Sequence, residues 1–377
     1  MSRKRASISI LATLLAGTAM ADVPNVAVDI APVHSLVARV MEGVGEPSLI
    51  LPLGASPHEH NMRPSEAAAL QAADIVVWLG HDLTPWMEDA VETLAEGASV
   101  MTLLEADETM LLDFRENALF EAHDHDDGDA HEDAEHDHDD AEHGHDDHDD
   151  HDDEHDHDHG TDATAHDEHD EHDHDQHDHD DHDHDHDHEK HADEDSHDHD
   201  DHAGHDHGAH DPHAWLSPAN AAAWLNLIAA ELSAADPDNA GVYFANAAAG
   251  RAEIETLSSE VNQILEPARG QSFVVFHDAY QYFETAFDFP AAGAISLSDA
   301  TDPSPARIAE IQDRVRDEGV TCVLAEPQFN PGLVTTVLDG TTANTSVIDP
   351  LGTDLQPGPT LYPQLIRNMA TALAGCL

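Results

Sequence analysis

Apolar residues along the chain fall into short runs separated by stretches in which they recur every three or four positions. The runs Val26–Ile30, Ser48–Leu51, Asp74–Leu79 and Ser99–Leu103 have the length and β-branched content of strands buried on both faces. Helical spacing between them predicts a helix starting at about His34 and others over Ser65–Ala73 and Pro85–Leu94. Strand and helix alternate, as in a parallel sheet covered by helices. Farther on, Ser217–Ala234 and Pro237–Leu265 read as two Ala-rich helices, the second about 29 residues long and able to bridge two lobes. The alternation then resumes, with strands at Phe273–Phe276, Ala292–Leu297, Thr321–Leu324 and Ser346–Ile348. Helices fit Ala279–Phe287, Pro305–Glu318, Pro331–Leu338 and Tyr362–Leu373. The predicted class is therefore α/β, two lobes with a site between them, because ligands of open α/β sheets bind at the carboxyl ends of strands. Neither a G-x-G-x-x-G nor a P-loop accompanies these strands, so no nucleotide fingerprint is present.

Both rhythms stop between Glu121 and His210. This segment holds 29 of the 35 His and 42 of the 80 Asp and Glu, with Lys190 as its only base, so the net charge of −67 is concentrated there. His-Asp repeats with almost no apolar residue cannot offset the entropy of ordering, so the segment is expected to be disordered without metal. An insert of this length suggests a function of its own. The remaining chain carries 38 acids against 12 bases, which makes nucleic acid an improbable partner. The expected division is an N-terminal lobe from 22–120 and 211–236, a linking helix at 237–266 and a C-terminal lobe from 267–377.

The first residues read as an export signal. Arg3, Lys4 and Arg5 precede an apolar run from Ile8 to Leu15 that is too short to span a bilayer. Ala19-Met20-Ala21 then offers a small-x-small cleavage site, predicting a mature chain from Asp22 and an oxidising, periplasmic setting. Cys322 and Cys376 are the only cysteines, and in that compartment a bond between them is expected over two buried thiols.

Three histidines outside the insert stand at strand or loop ends: His58 in Gly54-Ala-Ser-Pro-His58, His213 in Asp211-Pro-His-Ala-Trp215, and His277 at the end of Phe273-Val-Val-Phe-His277. Three imidazoles and one oxygen make a four-coordinate site suited to Zn²⁺. Spacing alone does not make them converge, and a single histidine is more often a surface or core residue. Asp278 is a candidate partner for the His277 ring. His34 and His81 are read as ordinary residues at helix starts, and His60, two residues from His58, is a weaker candidate ligand.

At this point the chain resembles a family, the ZnuA-type zinc-binding proteins of the cluster A-I solute-binding group of ABC transporters. The resemblance runs over essentially the whole mature chain. It is carried by Leu51-Pro-Leu-Gly-Ala-Ser-Pro-His58 with Arg63-Pro-Ser65, Asp74-Ile-Val-Val-Trp-Leu-Gly80, the His-Asp insert, Asp211-Pro-His-Ala-Trp-Leu-Ser-Pro218, Phe276-His-Asp-Ala-Tyr280, Ala325-Glu-Pro-Gln-Phe329 and Asp349-Pro-Leu-Gly352. It implies two (β/α)4-like lobes joined by a long rigid helix, with the metal in the cleft. It places ligands at His58 and His213 from the first lobe and His277 from the second. Asp349 aligns with the acidic fourth ligand of manganese relatives and is a candidate fourth ligand here, a position that in zinc members a water or a residue of the insert often fills, and Cys322–Cys376 matches a disulfide of some zinc members. It also implies a membrane permease of an ABC system as partner; a monomer is the default. The insert here is longer than the family pattern suggests.

Alternating His and Asp would give the insert many weak, exchangeable zinc sites beside the cleft. Manganese or iron uptake on the same fold is the nearest alternative, but three nitrogens favour zinc over the oxygen-rich surroundings of Mn²⁺. A zinc buffer uncoupled from transport is a second alternative. A zinc enzyme with Glu59 as base is a third, and the expectation is that the chain is not an enzyme.

Overall fold

The computed structural model describes residues 23–115, 120, 210–296, 303–317 and 319–377. The leader 1–21 and all but His210 of the insert's His-Asp repeats lie outside the described residues. The first sheet is built from β1 (Val26–Val28), β2 (Ser48–Leu49), β3 (Ile75–Trp78) and β4 (Ser99–Thr102), all parallel in the order β2-β1-β3-β4. Helices α1 (Ala31–Val40), α2 (Pro64–Gln71) and α3 (Glu88–Leu94) alternate with them. Both faces of this sheet are covered. Val26, Val28, Ile75 and Val77 join the core that includes α1, while Ala27, Val76 and Trp78 pack with Leu70, Met87 and Val91 of the α2–α3 side. Residues two apart on a strand share a face, so double burial makes the runs continuously apolar and legible.

Ser217 caps α4 (Pro218–Ala235) by accepting from Asn220 N. After it comes α5 (Ala240–Leu265), 26 residues, about 39 Å at 1.5 Å per residue. The helix expected from Pro237 starts later because Pro237–Asn239 forms a separate 3-10 turn. The second sheet repeats the first, with β5 (Phe273–His277), α6 (Gln281–Phe287), β6 (Gly293–Ser296), α7 (Pro305–Asp317), β7 (Cys322–Ala325), α8 (Pro331–Leu338) and β8 (Asn344–Val347). Its strands are parallel in the order β6-β5-β7-β8. The chain closes with α9 (Leu361–Cys376), which packs on α5, α1 and β8. Prolines stand in the first turns of α1, α2, α4 and α8, where a missing N–H costs nothing. Pro32 is why α1 starts at Ala31, which corrects the reading of His34 as a helix start: it lies inside α1, buried, with Nε2 3.0 Å from Pro47 O. His81 likewise begins no helix; it sits in the turn after β3 with Nδ1 2.8 Å from Glu88.

The two sheets share one continuous apolar cluster, running from Val26 through Trp215, Trp224 and Leu257 to Leu365 and Cys376. Buried hydrogen bonds cross the same region. Trp215 Nε1 donates to Pro350 O at 2.9 Å, Tyr362 N to Ser35 Oγ at 2.9 Å, and Tyr362 Oη to Trp215 O at 3.0 Å. Separating the lobes would expose this core, so a wide hinge is not expected. Among the described residues no helix is long and apolar enough to cross a membrane.

Cys322 and Cys376 are bonded, with 5.7 Å between their Cα atoms, and fasten the end of α9 to the start of β7 across 54 residues of sequence. Removing both sulfurs by Cys322→Ser with Cys376→Ser is expected to cost about 2–4 kcal/mol, mostly through the freed unfolded chain. Urea unfolding should show an earlier midpoint in the double variant and no further change on adding reductant. An unchanged midpoint would mean that the bridge adds no stability.

Candidate metal centre

His58 lies on the irregular segment between β2 and α2, where Gly54 adopts a φ of 81° that a side chain would resist. This segment is held by its own residues and by Trp86 and Glu66 beyond it. Trp86 Nε1 donates to Pro57 O at 2.7 Å, His58 N donates to Ser56 Oγ at 3.2 Å, and Glu66 receives both Arg63 N at 2.7 Å and His60 Nε2 at 2.9 Å. His60 also meets the Trp86 ring edge-on, 4.9 Å between centroids. His60 is therefore engaged by Glu66 and Trp86 and supports the segment that carries His58; the structure does not bring it into the group of three.

His213 precedes α4. Asp211 Oδ1 accepts from its backbone N at 2.9 Å and lies 2.7 Å from its Nδ1. His277 is the last residue of β5, one position beyond the predicted strand, and its Nδ1 lies 2.7 Å from Glu326 Oε1, just past the end of the neighbouring β7. A carboxylate on Nδ1 fixes the ring and leaves the Nε2 lone pair facing away from it. Burial, only partly offset by the His213 backbone N–H and the charge of Arg115, pushes the Asp211 carboxyl up to about 7. A cation on His213 Nε2 favours the ionised carboxylate, so metal capture and the Asp211–His213 hydrogen bond reinforce each other.

The three imidazoles converge. One nitrogen from each of His58, His213 and His277 lies within 4.8 Å of the others. The Nε2 atoms of His58 and His213 are 3.3 Å apart, and ring centroids are 5.3 Å apart for both His58–His213 and His213–His277. Ser56, Pro57, Trp215, Gln328, Phe329 and Leu351 help line the same cavity. His213 and His277 are buried, whereas His58 is half-buried, so the cavity opens past His58. Such a set of neutral nitrogens suits a four-coordinate, borderline-soft cation.

Two partners differ from the sequence reading. Asp278 does not hold His277; its carboxylate is turned to Arg115, and Glu326 holds the ring instead. Glu326 pairs with His277 across neighbouring strands 49 residues apart, a separation that no local pattern signals. Asp211, two residues before His213, is close enough in sequence for its pairing with the ring to leave a local signal. Asp349 stands outside the three-imidazole group, its carboxylate accepting from Leu351 N at 3.0 Å, Gly352 N at 3.1 Å, Thr353 N at 2.6 Å and Gln328 Nε2 at 3.3 Å. Glu59 is exposed and does not line the cavity.

A cavity of histidines at the facing ends of two parallel sheets defines the class as a metal-binding solute-binding protein. A family model described as zinc-uptake complex component A, periplasmic (ZnuA), matches residues 26–376, and the chain belongs to that family. It is 42% identical over 353 residues to the high-affinity zinc uptake system protein ZnuA of Brucella abortus (strain 2308), covering 94% of this chain and 91% of that protein. The protein of that name from Paracoccus denitrificans (strain Pd 1222) is 42% identical over 377 residues, 99% of this chain and 98% of the relative. A crystal structure of ZnuA superposes with a TM-score of 0.62 at 18% identity, over 94% of this chain and 99% of that one, and shares the fold.

Proposed function

We propose that this protein captures Zn²⁺ in the cleft through His58, His213 and His277 and delivers it to the membrane permease of an ABC importer. The observation that carries this reading is the convergence of three imidazole nitrogens within 4.8 Å of one another. Two of those rings are held by buried carboxylates, a mark of metal-binding histidines. The family and the names of the relatives support zinc as the cargo. The leader 1–21 takes the chain to the periplasm, and lobes at 22–120 with 211–236 and at 267–377, joined by 237–266, form the capture unit. By its composition the His/Asp-rich segment 121–210 is an auxiliary zinc store at high local concentration. The binding role leaves no task for a positioned general base, and Glu59 faces solvent.

Growth of a strain lacking the protein, starved of zinc with a chelator, tests coupling to transport. The full chain is expected to restore growth only when the permease is present, and the triple His58/His213/His277→Ala variant to fail. Rescue without the permease would replace the importer reading by a zinc buffer.

A further inference from the structure

Three imidazoles leave a four-coordinate ion short of one donor, and the cavity contains few oxygens able to supply it. Asp349 is committed: three backbone N–H groups and the Gln328 amide surround its carboxylate. Glu326 lines the cavity but stands behind His277, with Oε1 on that ring's Nδ1, and among the described residues no carboxylate oxygen joins the three-imidazole group. Its other oxygen, Oε2, is buried with no hydrogen-bond partner among the described residues, but Glu326 is not in the group that converges with the three imidazoles.

Gln328 remains. It lines the cavity, and its amide has a defined orientation, because Nε2 donates to Asp349 Oδ1 at 3.3 Å and to Thr353 Oγ1 at 3.2 Å. Turning the amide over would set its oxygen against a carboxylate. Oε1 is thereby aimed the other way, and it is fully buried with no hydrogen-bond partner among the described residues. A buried carbonyl oxygen left without a donor is costly, and it calls for an ion or donor to complete it. The loop that orients Gln328 is itself fixed, since Trp215 Nε1 donates to Pro350 O at 2.9 Å. The same loop touches the segment carrying His58: a side chain at Gly54 would meet Thr353 Cγ2 at 3.2 Å.

We infer that Gln328 Oε1 is the fourth donor to the captured ion and that, as an uncharged oxygen, it sets the preference of the cleft for zinc over manganese. The inference rests on the three-histidine reading above. Three imidazoles and an amide carry no negative charge, so the set offers little to a hard cation such as Mn²⁺, which favours carboxylates. The same neutrality keeps the ion from being held too tightly for onward transfer. Asp349 then acts as a positioning residue, holding the amide by its nitrogen.

The test is a chelator-buffered titration of the full-length protein with Zn²⁺ and Mn²⁺, in which the one tight equivalent is resolved from weaker sites. It is joined by the visible absorption of the form loaded with one equivalent of Co²⁺ and the melting temperature of each metal-free variant. Gln328→Leu is expected to weaken zinc about tenfold or more and to shift the Co²⁺ bands. Gln328→Glu is expected to narrow the zinc-to-manganese preference by about tenfold or more. His213→Ala serves as the control and should lose the tight equivalent. If Gln328→Leu keeps parental zinc affinity and Co²⁺ bands while His213→Ala has lost the site, Gln328 is no donor and the inference fails alone. A tight equivalent retained in His213→Ala overturns the three-histidine reading itself. Should Gln328→Leu melt early, Gln328→Glu decides, and an unchanged zinc-to-manganese ratio refutes the inference.

Discussion

Alanine at His58, His213 or His277 is expected to abolish the single tight zinc equivalent, lowering affinity by more than about 100-fold, since loss of even an outer partner of a ligand costs 10–100-fold. The three positions should not behave alike in other respects. His58 is half-buried on a segment held by Trp86 at Pro57 and by the Ser56 hydroxyl within it. His58→Ala should therefore lose zinc with little change in metal-free stability. At His213 and His277 the ring also satisfies a buried carboxylate, Asp211 or Glu326. Alanine there strands that carboxylate and should lower the metal-free melting temperature as well. Asp211→Asn and Glu326→Gln should retain the tight equivalent with weaker binding, because the ligand survives while its orientation loosens. Zinc titration with elemental analysis on the full chain reads all of these. A tight equivalent that persists in the triple alanine variant would remove the cleft from consideration.

The fold was largely legible because parallel strands buried on both faces leave unbroken apolar runs, as at Ile75–Trp78 and Phe273–His277. Prolines in the first turns marked several helix starts, although Pro237 misled by opening a 3-10 turn before α5. Each histidine of the centre stands where a strand or loop ends, which made it a candidate; their convergence is a property of topology and became visible only through the family resemblance. What remained hidden was pairing across space. Asp278 adjoins His277 in sequence, yet successive residues leave a strand in opposite directions, and Glu326 from the neighbouring strand holds the ring. Gln328, which carries no signal of its own within Ala325-Glu-Pro-Gln-Phe329, lines the cavity and bonds Asp349. Leu112 and Phe120, from the stretch read as the end of the first lobe, also bond to residues of the second. Leu112 N donates to Tyr282 Oη at 3.0 Å and Phe120 N to Ala292 O at 3.3 Å.

Arg115 ties that crossing to buried carboxylates of the second lobe, and Arg115→Met is expected to cost on the order of 3–5 kcal/mol, as breaking a buried ion pair does. The Arg115 guanidinium grips both carboxylates beside it: Nε donates to Asp278 Oδ2 at 2.9 Å, Nη1 to Glu284 Oε2 at 2.8 Å, and Nη2 reaches both residues. It also stacks on Phe120, 3.5 Å from the ring centroid. Asp278 and Glu284 are almost completely buried, and the charge on Arg115 opposes the rise that burial imposes on both carboxyls. Burial raises the Glu284 carboxyl, and Arg115 opposes that rise; methionine removes the opposition and lifts it further. A carboxyl raised on folding adds stability at low pH that is lost as pH climbs through its folded value. The deficit of Arg115→Met should therefore be smaller at pH 5 than at pH 8. Arg115→Lys should fall between parent and methionine variant, because an ammonium keeps the charge but cannot span two carboxylates as a planar fork does. Zinc affinity should fall less than in any ligand variant, since Arg115 acts on the centre indirectly, through Asp278 beside His277 and through its charge on Asp211, and not as a ligand. Urea unfolding of the metal-free proteins at both pH values measures these differences, and parental stability in Arg115→Met at pH 8 would show that the lobes are held together without it.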